Sequence, residues 1–192
     1  SFQKFSVSPC CIFSCSWNQH STKKTICLGV IHILIFVIPA IYPNELNPQS
    51  GIFVHEQCKA LLSQGHKIVV LDASSYGIKY WFNRNCYITK HYHLDGVEVF
   101  SLHHFGLMSS SLPAINTTLY MDRLKRLYRK AEKLYGRPDV FYAHFTFQSG
   151  FCTYLLSKKT NIPFMVMEHH SLFLHSKLNK YIRQMLIQTV EN

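Results

Sequence analysis

Short continuous apolar segments alternate with amphipathic segments along most of this chain. Runs that are rich in Val and Ile and lack polar alternation are typical of strands buried on both faces of a sheet. Such runs, with one half-alternating segment among them, predict strands at 31–38, 68–72, 97–101, 140–144 and 162–168. Parallel strands need crossover connections, so strands that alternate with helices predict an α/β fold: an open parallel sheet with helices on both faces.

The first helix is predicted between two glycines, Gly51 and Gly65. Its apolar residues share one helical face at spacings of four and three positions: Val54, Cys58 and Leu61. Gly65 is suited to the left-handed conformation that ends many helices. The loop 39–51 lies between the first strand and this helix. Ligands of such sheets bind beyond the carboxyl ends of the strands, so this loop is the first candidate for function.

A second helix is predicted at 117–135, with Asn116 as its N-cap and Gly136 at its end. Its apolar residues form one stripe: Tyr120, Leu124, Leu127, Tyr128, Ala131, Leu134 and Tyr135. Its basic residues occupy the remaining positions: Arg123, Lys125, Arg126, Arg129, Lys130 and Lys133. We interpret these cations as a solvated face. The alternative is attraction to an anionic membrane surface.

Two more helices are predicted toward the carboxyl end. One spans 148–160, with Phe151, Tyr154 and Leu155 on one side. The other is an amphipathic segment that runs from Leu172 to Asn192. Between the first strands, residues 73–95 are aromatic and lack a clear period, which indicates a hairpin or loop packed through its rings. A surface that stacks on sugars or lies among lipid headgroups is the alternative for these rings.

The apolar run 25–42 has two interpretations. A basic pair precedes it, which suits a signal peptide or membrane anchor. However, a spanning helix needs about 20 apolar residues, and this run contains His32 and Pro39 and favours Val and Ile. We therefore predict a buried strand. Residues 1–28 show no periodicity and are predicted to be an irregular extension, with one domain over 29–192.

Composition narrows the class of protein. The 192 residues carry a formal charge of +10, and the basic residues concentrate at 123–133 and 158–183. A positive surface attracts nucleic acid, anionic lipid or phosphorylated substrates. The seven cysteines are odd in number and have no metal-ligand spacing, which favours free thiols in a reducing cytosol. The chain starts with Ser and stops inside a predicted helix, so we expect a fragment of a longer protein.

Several common sequence signatures are absent. The chain has no G-x-G-x-x-G, no G-x-x-x-x-G-K-[ST], no H-E-x-x-H and no G-x-S-x-G. These absences argue against the common dehydrogenase, NTPase, zinc-protease and hydrolase classes, respectively. What remains are residues at predicted strand ends. Gly51 opens a helix whose free N–H groups suit an anion. His144 and His169-His170 end two strands, and imidazoles there can bind a phosphate or a sugar hydroxyl, or move a proton. Packed structural histidines are the alternative.

Several of these stretches together resemble the amino-terminal half of family-4 glycosyltransferases with the GT-B fold. The resemblance spans about 31–192, and it is specific because separate motifs occur in the right order. The stretches that carry it are 37–43, 47–57, 60–70, Arg137-Pro-Asp-Val-Phe-Tyr-Ala-His144 and Asn161-Ile-Pro-Phe-Met-Val-Met-Glu-His-His-Ser171. The resemblance implies a Rossmann-like domain that faces a second one across a cleft. Members that build bacterial cell-surface polysaccharides are the most similar in pattern.

The resemblance also implies roles for individual residues. Ser50 and Gly51 would lie beside the pyrophosphate of a nucleotide-sugar donor. His144, the catalytic candidate, would lie beside the transferred sugar, and Glu168 and His169 would line the cleft. Transfer would retain the anomeric configuration and require no metal or other cofactor. The nucleotide grip and the paired glutamates of the family belong to the second domain, so we expect the fragment to be inactive alone.

Two departures from the family pattern bear on the site. Gln49-Ser50-Gly51 stands where many members have a pair of glycines, and Tyr142 stands where members often carry the first histidine of His-x-His. The expected partners are a nucleotide-sugar and a carbohydrate or lipid-linked acceptor. The expected location is the cytoplasm, with peripheral contact at the anionic inner face of the cell membrane.

The alternative function is a non-catalytic Rossmann-like module that binds an anion or nucleic acid. The positive charge suits nucleic acid. However, the chain has no recognised nucleic-acid motif, and its aromatic residues are not interleaved with its basic ones as a stacking platform requires. We therefore expect no nucleic-acid partner.

Overall fold

The structure is a computed structural model that describes residues 32–45, 47–76, 88–105, 113–169 and 180–191. The strands are β1 (Leu34–Ile38), β2 (Lys67–Asp72), β3 (Ser75–Tyr76), β4 (Lys90–Leu94), β5 (Val97–Ser101), β6 (His104–Phe105), β7 (Val140–His144) and β8 (Phe164–Met167). The helices are α1 (Ile52–Ser63), α2 (Pro113–Tyr135), α3 (Phe151–Thr160) and α4 (Lys180–Val190). The extension predicted at 1–28 lies outside the described residues.

Six of the described strands form one open sheet in the order β4-β5-β2-β1-β7-β8. β1 lies at its centre and pairs in parallel with β2 and β7, so that Phe36 lies beside Val69 on one side and Phe141 on the other. β5 and β8 extend the parallel sheet outward. The prediction of an open, mostly parallel α/β sheet is confirmed. A parallel pair of two-residue strands, β3 and β6, lies apart from it.

The sheet is mixed rather than purely parallel, because β4 pairs antiparallel with β5. Asp95 and Gly96 connect the two strands, and both have positive φ, at 48° and 83°. Two such residues make the tight turn that matches the twist of a hairpin. The sequence predicts a hairpin or a loop over 73–95, and the last residues of that stretch, 90–95, belong to this hairpin. Residues 77–87 of the stretch lie outside the described residues.

Helices cover both faces of the sheet, as predicted. On one face, α2 and α3 pack over Phe36, Phe100 and Phe141 in one apolar cluster. On the other face, α1 packs over a second cluster that contains Val37 and Val70. Each fully buried side chain of this size contributes about 1.5–3 kcal/mol of transfer free energy. The central strand is buried on both faces because both clusters contain its residues, which explains its unbroken apolar sequence.

The start of α2 differs from the prediction. The helix begins at Pro113, and Asn116 lies inside its first turn rather than at its N-cap. Proline suits the first turn because N–H groups there have no intrahelical acceptor, so the lack of an N–H in proline loses no hydrogen bond. Arg123, expected on the solvated face, is buried and donates hydrogen bonds to the Ala73 carbonyl and the Ser75 hydroxyl at 3.0 Å each. Leu134, placed on the apolar stripe, is 62% exposed.

α3 also differs from the prediction, because it begins at Phe151 and not at Gln148. Residues Thr146–Gly150 form an irregular turn directly before α3, and Gln148 in this turn has a positive φ of 62°. The core-facing residues are Cys152, Thr153 and Leu156. The side that carries Phe151, Tyr154 and Leu155 is therefore not the buried side.

β8 was predicted as a buried strand, and this is wrong. Within the described residues it is the edge strand beside β7. Its side chains alternate between half-buried and exposed, and Met165 and Met167 are 53% and 41% exposed. A run of apolar residues cannot by itself distinguish a central strand from an edge strand, because both have the same composition.

No helix among the described residues is long and apolar enough to cross a membrane. From the apolar run 25–42, residues 34–38 form β1, and residues 25–31 lie outside the described part. α4 forms the described end of the last amphipathic segment, with Met185, Leu186 and Thr189 buried. Residues 170–179 of that segment are not described. Cys58 and Cys152 are buried free thiols.

Candidate active site

Two histidines meet at the carboxyl ends of β7 and β8. His144 is the last residue of β7, and its register partner is Met167, the last residue of β8. The chain then places His169 two residues further on. The Nδ1 atom of His144 lies 2.9 Å from Nε2 of His169, and the two rings stack with centroids 5.2 Å apart and an interplanar angle of 6°. The sequence predicted that these side chains would converge, and the structure brings them together.

His144 is held in its neutral form. The side chain is fully buried. Burial, and then the charge of His169, lower the pKa of His144 to about 4. One ring nitrogen is engaged by His169, while the other, Nε2, is buried without a hydrogen-bond partner among the described residues. A buried nitrogen without a partner is costly unless a ligand or water satisfies it. The imidazole is therefore equipped to hydrogen-bond a neutral hydroxyl rather than to pair with a phosphate.

The turn after His144 is strained and tightly held. Phe145 and Gln148 both have positive φ, at 72° and 62°, which non-glycine residues rarely adopt and which often marks functional sites. The Thr146 amide donates to Oε2 of Glu168 at 2.8 Å. The hydroxyl of Ser149 donates to the His144 carbonyl. These two hydrogen bonds hold the backbone of the turn that follows His144, and so help to fix the position of His144 at the end of β7.

Glu168 braces this turn from the neighbouring strand end. While Oε2 accepts the hydrogen bond of Thr146, Oε1 accepts one from the backbone amide of His169 at 3.0 Å. Both carboxylate oxygens thus hold backbone groups. The arrangement orients His169 as well as the turn after β7. A direct contact of Glu168 with a substrate stays a prediction.

The loop before α1 depends on Gly51. Its φ is 68°, in the left-handed region, and a Cβ atom there would collide with the carbonyl group of Ile41. Glycine is the residue that meets both requirements. Its carbonyl accepts the first helical bond, from Val54 at 2.9 Å. No side chain caps this helix start, and its first turn contains no acidic residue, so the positive end of the helix dipole is not neutralised locally. Ser50 is half-buried beside it.

Phe53 joins this loop to the histidine pair. Its ring, in the first turn of α1, lies 4.6 Å from the ring of His169 and 6.0 Å from that of Phe145. The ring of Phe145 lies 5.3 Å from His169 in turn. The start of α1 and the ends of β7 and β8 therefore adjoin at one edge of the sheet. His170, the other predicted histidine, lies outside the described residues.

Sequence reasoning missed Phe53, Phe145 and Thr146. No pattern marked them, since an aromatic residue in a helix is usually core and a threonine after a strand is unremarkable. The only available signal was their position next to Gly51 and His144. Tyr142 was noted only as a departure from the family pattern, yet its hydroxyl donates to Oε1 of Gln57 at 3.1 Å and so also ties β7 to α1.

A family comparison decides how this site is to be understood. The sequence model of glycosyltransferase family 4 matches residues 50–191, which is well over half of the chain. The chain belongs to glycosyltransferase family 4. The matched region contains most of the site, from Ser50 and Gly51 through His144 to His169. The resemblance inferred from the separate motifs is thereby confirmed at the level of the family.

Several solved structures are similar to this family-4 domain, among them that of a glycosyltransferase. The crystal structure of CalG4, the calicheamicin glycosyltransferase, matches at 13% identity with a TM-score of 0.44. The match covers 84% of this chain and 41% of CalG4, so the chain spans less than half the length of that protein. No curated protein sequence shows significant similarity to the chain.

Proposed function

We propose that this chain is the acceptor-side domain of a retaining glycosyltransferase. It would help move a hexosyl group from a nucleotide-sugar to a polysaccharide or glycolipid acceptor. Membership of family 4 supports sugar transfer in general. The observation that carries the finer proposal is the pairing of His144 with His169 directly beside the uncapped start of α1.

The start of α1 suits the donor phosphates. The N–H groups of a first turn have no intrahelical partners, and the dipole favours an anion there. The missing side chain of Gly51 makes room for the Ile41 carbonyl, so Gly51 would support the phosphate contact by shaping the loop that precedes the free N–H groups. Ser50 would add its hydroxyl. In this arrangement the helix supplies the positive potential, and the proposal needs no metal ion or other cofactor for binding by this domain.

His144 suits the sugar. Its lowered pKa keeps the imidazole neutral at physiological pH, so it would exchange a hydrogen bond with a sugar hydroxyl without attracting the phosphate out of place. The buried Nε2 without a partner would gain one when the donor binds. His169 would hold the ring through Nδ1. This pairing would orient the transferred sugar, and correct orientation is a large part of the rate enhancement in group transfer.

The proposed site has one wall in this chain. In the family resemblance, the second wall and the paired glutamates belong to a further domain. The chain alone would therefore bind a nucleotide-sugar weakly and transfer no sugar.

This domain would act in the cytoplasm at the inner face of the membrane. Four exposed basic residues of α2 would contact anionic headgroups there: Arg126, Arg129, Lys130 and Lys133.

The test is calorimetric titration of the 192-residue chain with UDP-glucose, GDP-mannose, UDP alone and glucose alone. We expect weak binding of at least one nucleotide-sugar and no detectable sugar transfer to added glycans. Absence of binding by every nucleotide and nucleotide-sugar would contradict the proposed donor contact. Salt-sensitive retention of DNA or RNA in a gel shift would instead favour the module that binds nucleic acid.

A further inference from the structure

Three polar side chains outside the histidine pair join the loop before α1 to the hairpin β4–β5. His55 lies at the end of the first turn of α1 and is 2% exposed, and Tyr42 in the loop is 1% exposed. The Tyr42 hydroxyl lies 2.7 Å from Nδ1 of His55. Nε2 of His55 lies 3.0 Å from Oδ2 of Asp95, in the turn of the hairpin. A buried imidazole therefore bridges a tyrosine of the loop and a carboxylate of the hairpin.

The surroundings determine the direction of both hydrogen bonds. The hydrogen bond from His55 lowers the pKa of the Asp95 carboxyl, so this group is ionised at neutral pH and accepts from Nε2–H. In a neutral imidazole with its hydrogen on Nε2, Nδ1 is an acceptor. Burial raises the pKa of the Tyr42 hydroxyl, so the hydroxyl keeps its proton and donates it to Nδ1. One tautomer of His55 therefore satisfies both partners.

This arrangement reaches the start of α1 through the backbone. Tyr42 follows Ile41, whose carbonyl group occupies the space that a side chain at Gly51 would need. A Cβ atom at Gly51 would also lie 3.1 Å from the backbone nitrogen of Tyr42. The first part of the loop 39–51 thus packs against its last residue. A movement of Tyr42 would therefore displace the residue that precedes the free N–H groups of α1.

We propose that Tyr42, His55 and Asp95 are positioning residues for the donor site. They hold the loop 39–51 and the first turn of α1 in the arrangement that receives the donor phosphates, so this inference rests on the proposed function. None of the three needs to touch the donor, because their effect passes through the backbone of the loop. Small displacements matter in such sites, since a misplacement of about 1 Å can cost about 100-fold in rate.

The simpler alternative is that the three groups only satisfy one another inside the fold. Buried polar groups are normally hydrogen-bonded for this reason. In that case their loss lowers the stability of the chain and leaves the donor affinity of the folded chain unchanged. A positioning role instead changes the start of α1 and lowers the donor affinity while the chain is still folded.

The test compares ¹H–¹⁵N spectra of the parent chain with those of Y42F, D95G and D95N, through the amide signals of Gly51, Ile52 and Phe53. Y42F removes one hydroxyl and keeps the ring. D95G removes the carboxylate at a residue whose φ is 48°, which glycine adopts without strain. D95N is the conservative variant, because it keeps an oxygen that can accept from the imidazole.

The matched control is Y128F. It also removes one hydroxyl hydrogen bond of a buried tyrosine, which here goes to Glu132 within α2. The parent chain and all four variants are then titrated calorimetrically with UDP-glucose and GDP-mannose. The temperature is one at which circular dichroism shows each variant to be folded.

We expect Y42F and D95G to shift the three amide signals and to weaken nucleotide-sugar binding about fivefold, or about 1 kcal/mol, the net value of one hydrogen bond. D95N and Y128F should leave both the signals and the affinity close to those of the parent chain. Amide signals of Y42F that coincide with those of the parent chain, or equal shifts in Y128F, would overturn the proposal. Unchanged donor affinity in folded Y42F would overturn it as well.

Failure of the proposed function would give a different pattern. A parent chain that binds neither nucleotide-sugar contradicts the proposed donor contact, whatever the amide signals show. If Y42F and D95G nevertheless shift those signals and D95N does not, the three residues still position the loop, and only the ligand assigned to it is wrong.

Discussion

His144 and His169 share a hydrogen bond of 2.9 Å between Nδ1 of the first and Nε2 of the second. One residue ends a strand, and the other follows the end of the neighbouring strand. The bond leaves the second nitrogen of His144 buried and without a partner in the described part of the chain. A buried polar atom without a hydrogen bond lowers the stability of the fold unless a bound ligand supplies the missing bond.

The neutral state of His144 predicts a pH-dependent stability. Its pKa is about 4 when folded and about 6.5 when unfolded, so between these values the unfolded chain binds more protons. Stability is therefore complete above about pH 6.5 and is lost as the pH falls toward 4. At pH 5 the loss from this group is on the order of 2 kcal/mol. Urea unfolding at pH 7.5 and pH 5 measures it.

The matched variant is H144Q, which retains a polar side chain but cannot be protonated. Its free energy of unfolding should fall less between the two pH values than that of the parent chain. H66Q controls for the loss of a histidine elsewhere. If H144Q and the parent chain lose the same stability on acidification, His144 is not the buried neutral group described.

Gly51 predicts a substitution effect with two components. G51A forces alanine into the left-handed region, which costs about 1–2 kcal/mol, and adds a collision with the backbone of Ile41. Gly136 also has positive φ, 86°, but a Cβ there meets nothing within 4 Å. G136A therefore carries only the first cost. Thermal or urea unfolding should show G51A to be less stable than G136A.

The same pair of variants tests the role proposed for the start of α1. G51A should abolish the weak binding of a nucleotide-sugar, whereas G136A should leave it unchanged. Titration at a temperature where both variants are folded separates binding from stability. Unaltered donor affinity in folded G51A would argue against phosphate contact at this loop.

Arg123 should be structural and not part of a solvated face. R123M removes both hydrogen bonds to the segment after β2 and leaves the Ala73 carbonyl without its partner, at a cost of about 1–3 kcal/mol. Arg126 is exposed and only pairs with Asp122 at 2.9 Å, so R126M should change stability by less than about 1 kcal/mol. Comparable losses in the two variants, measured by urea unfolding, would place Arg123 at the surface.

The basic face of α2 predicts an ionic-strength effect on lipid binding. Exposed cations near an anionic surface each contribute about 1 kcal/mol, and salt screens this attraction. The chain should sediment with vesicles of phosphatidylglycerol but not of phosphatidylcholine, and the triple variant R129Q/K130Q/K133Q should sediment less. Arg137 lies off this face and donates to the carbonyls of Thr160 and Asn161, which makes R137Q a charge-matched control for one position. Vesicle binding that is insensitive to salt and to the triple variant would exclude this role of α2.

The sequence predicted the centre of the fold well. The strands β1, β2 and β7 and the helix α1 were all recoverable, because an unbroken apolar run between two helical segments has few other solutions. Gly51, His144 and His169 could be singled out because they occupy the ends of these elements, and the structure places His144 against His169. Their roles in binding and transfer stay predictions.

Other features depended on tertiary contacts that leave no local pattern. The charge of Arg123 predicts an exposed side chain. Its burial depends on the segment after β2, which accepts its hydrogen bonds and is distant in sequence. The start of α3 was predicted three residues too early because Gln148 adopts a positive φ, which its residue type does not indicate. Likewise, Phe53 contacts His169 through a packing of α1 against strand ends far away in sequence. Such contacts can be found only once the sheet order is known.

Our central proposal is that Nε2 of His144 forms a hydrogen bond with a hydroxyl of the sugar in a nucleotide-sugar donor. The most direct measurement is ¹⁵N NMR of the histidine-labelled chain at pH 7.5, titrated with UDP-glucose, GDP-mannose and UDP, with H144Q to assign the signals. We predict a neutral imidazole whose Nε2 resonance shifts on addition of one nucleotide-sugar, and shifts less with the nucleotide alone. A protonated His144 at this pH, or a resonance unmoved by donors that bind the chain, would contradict the account.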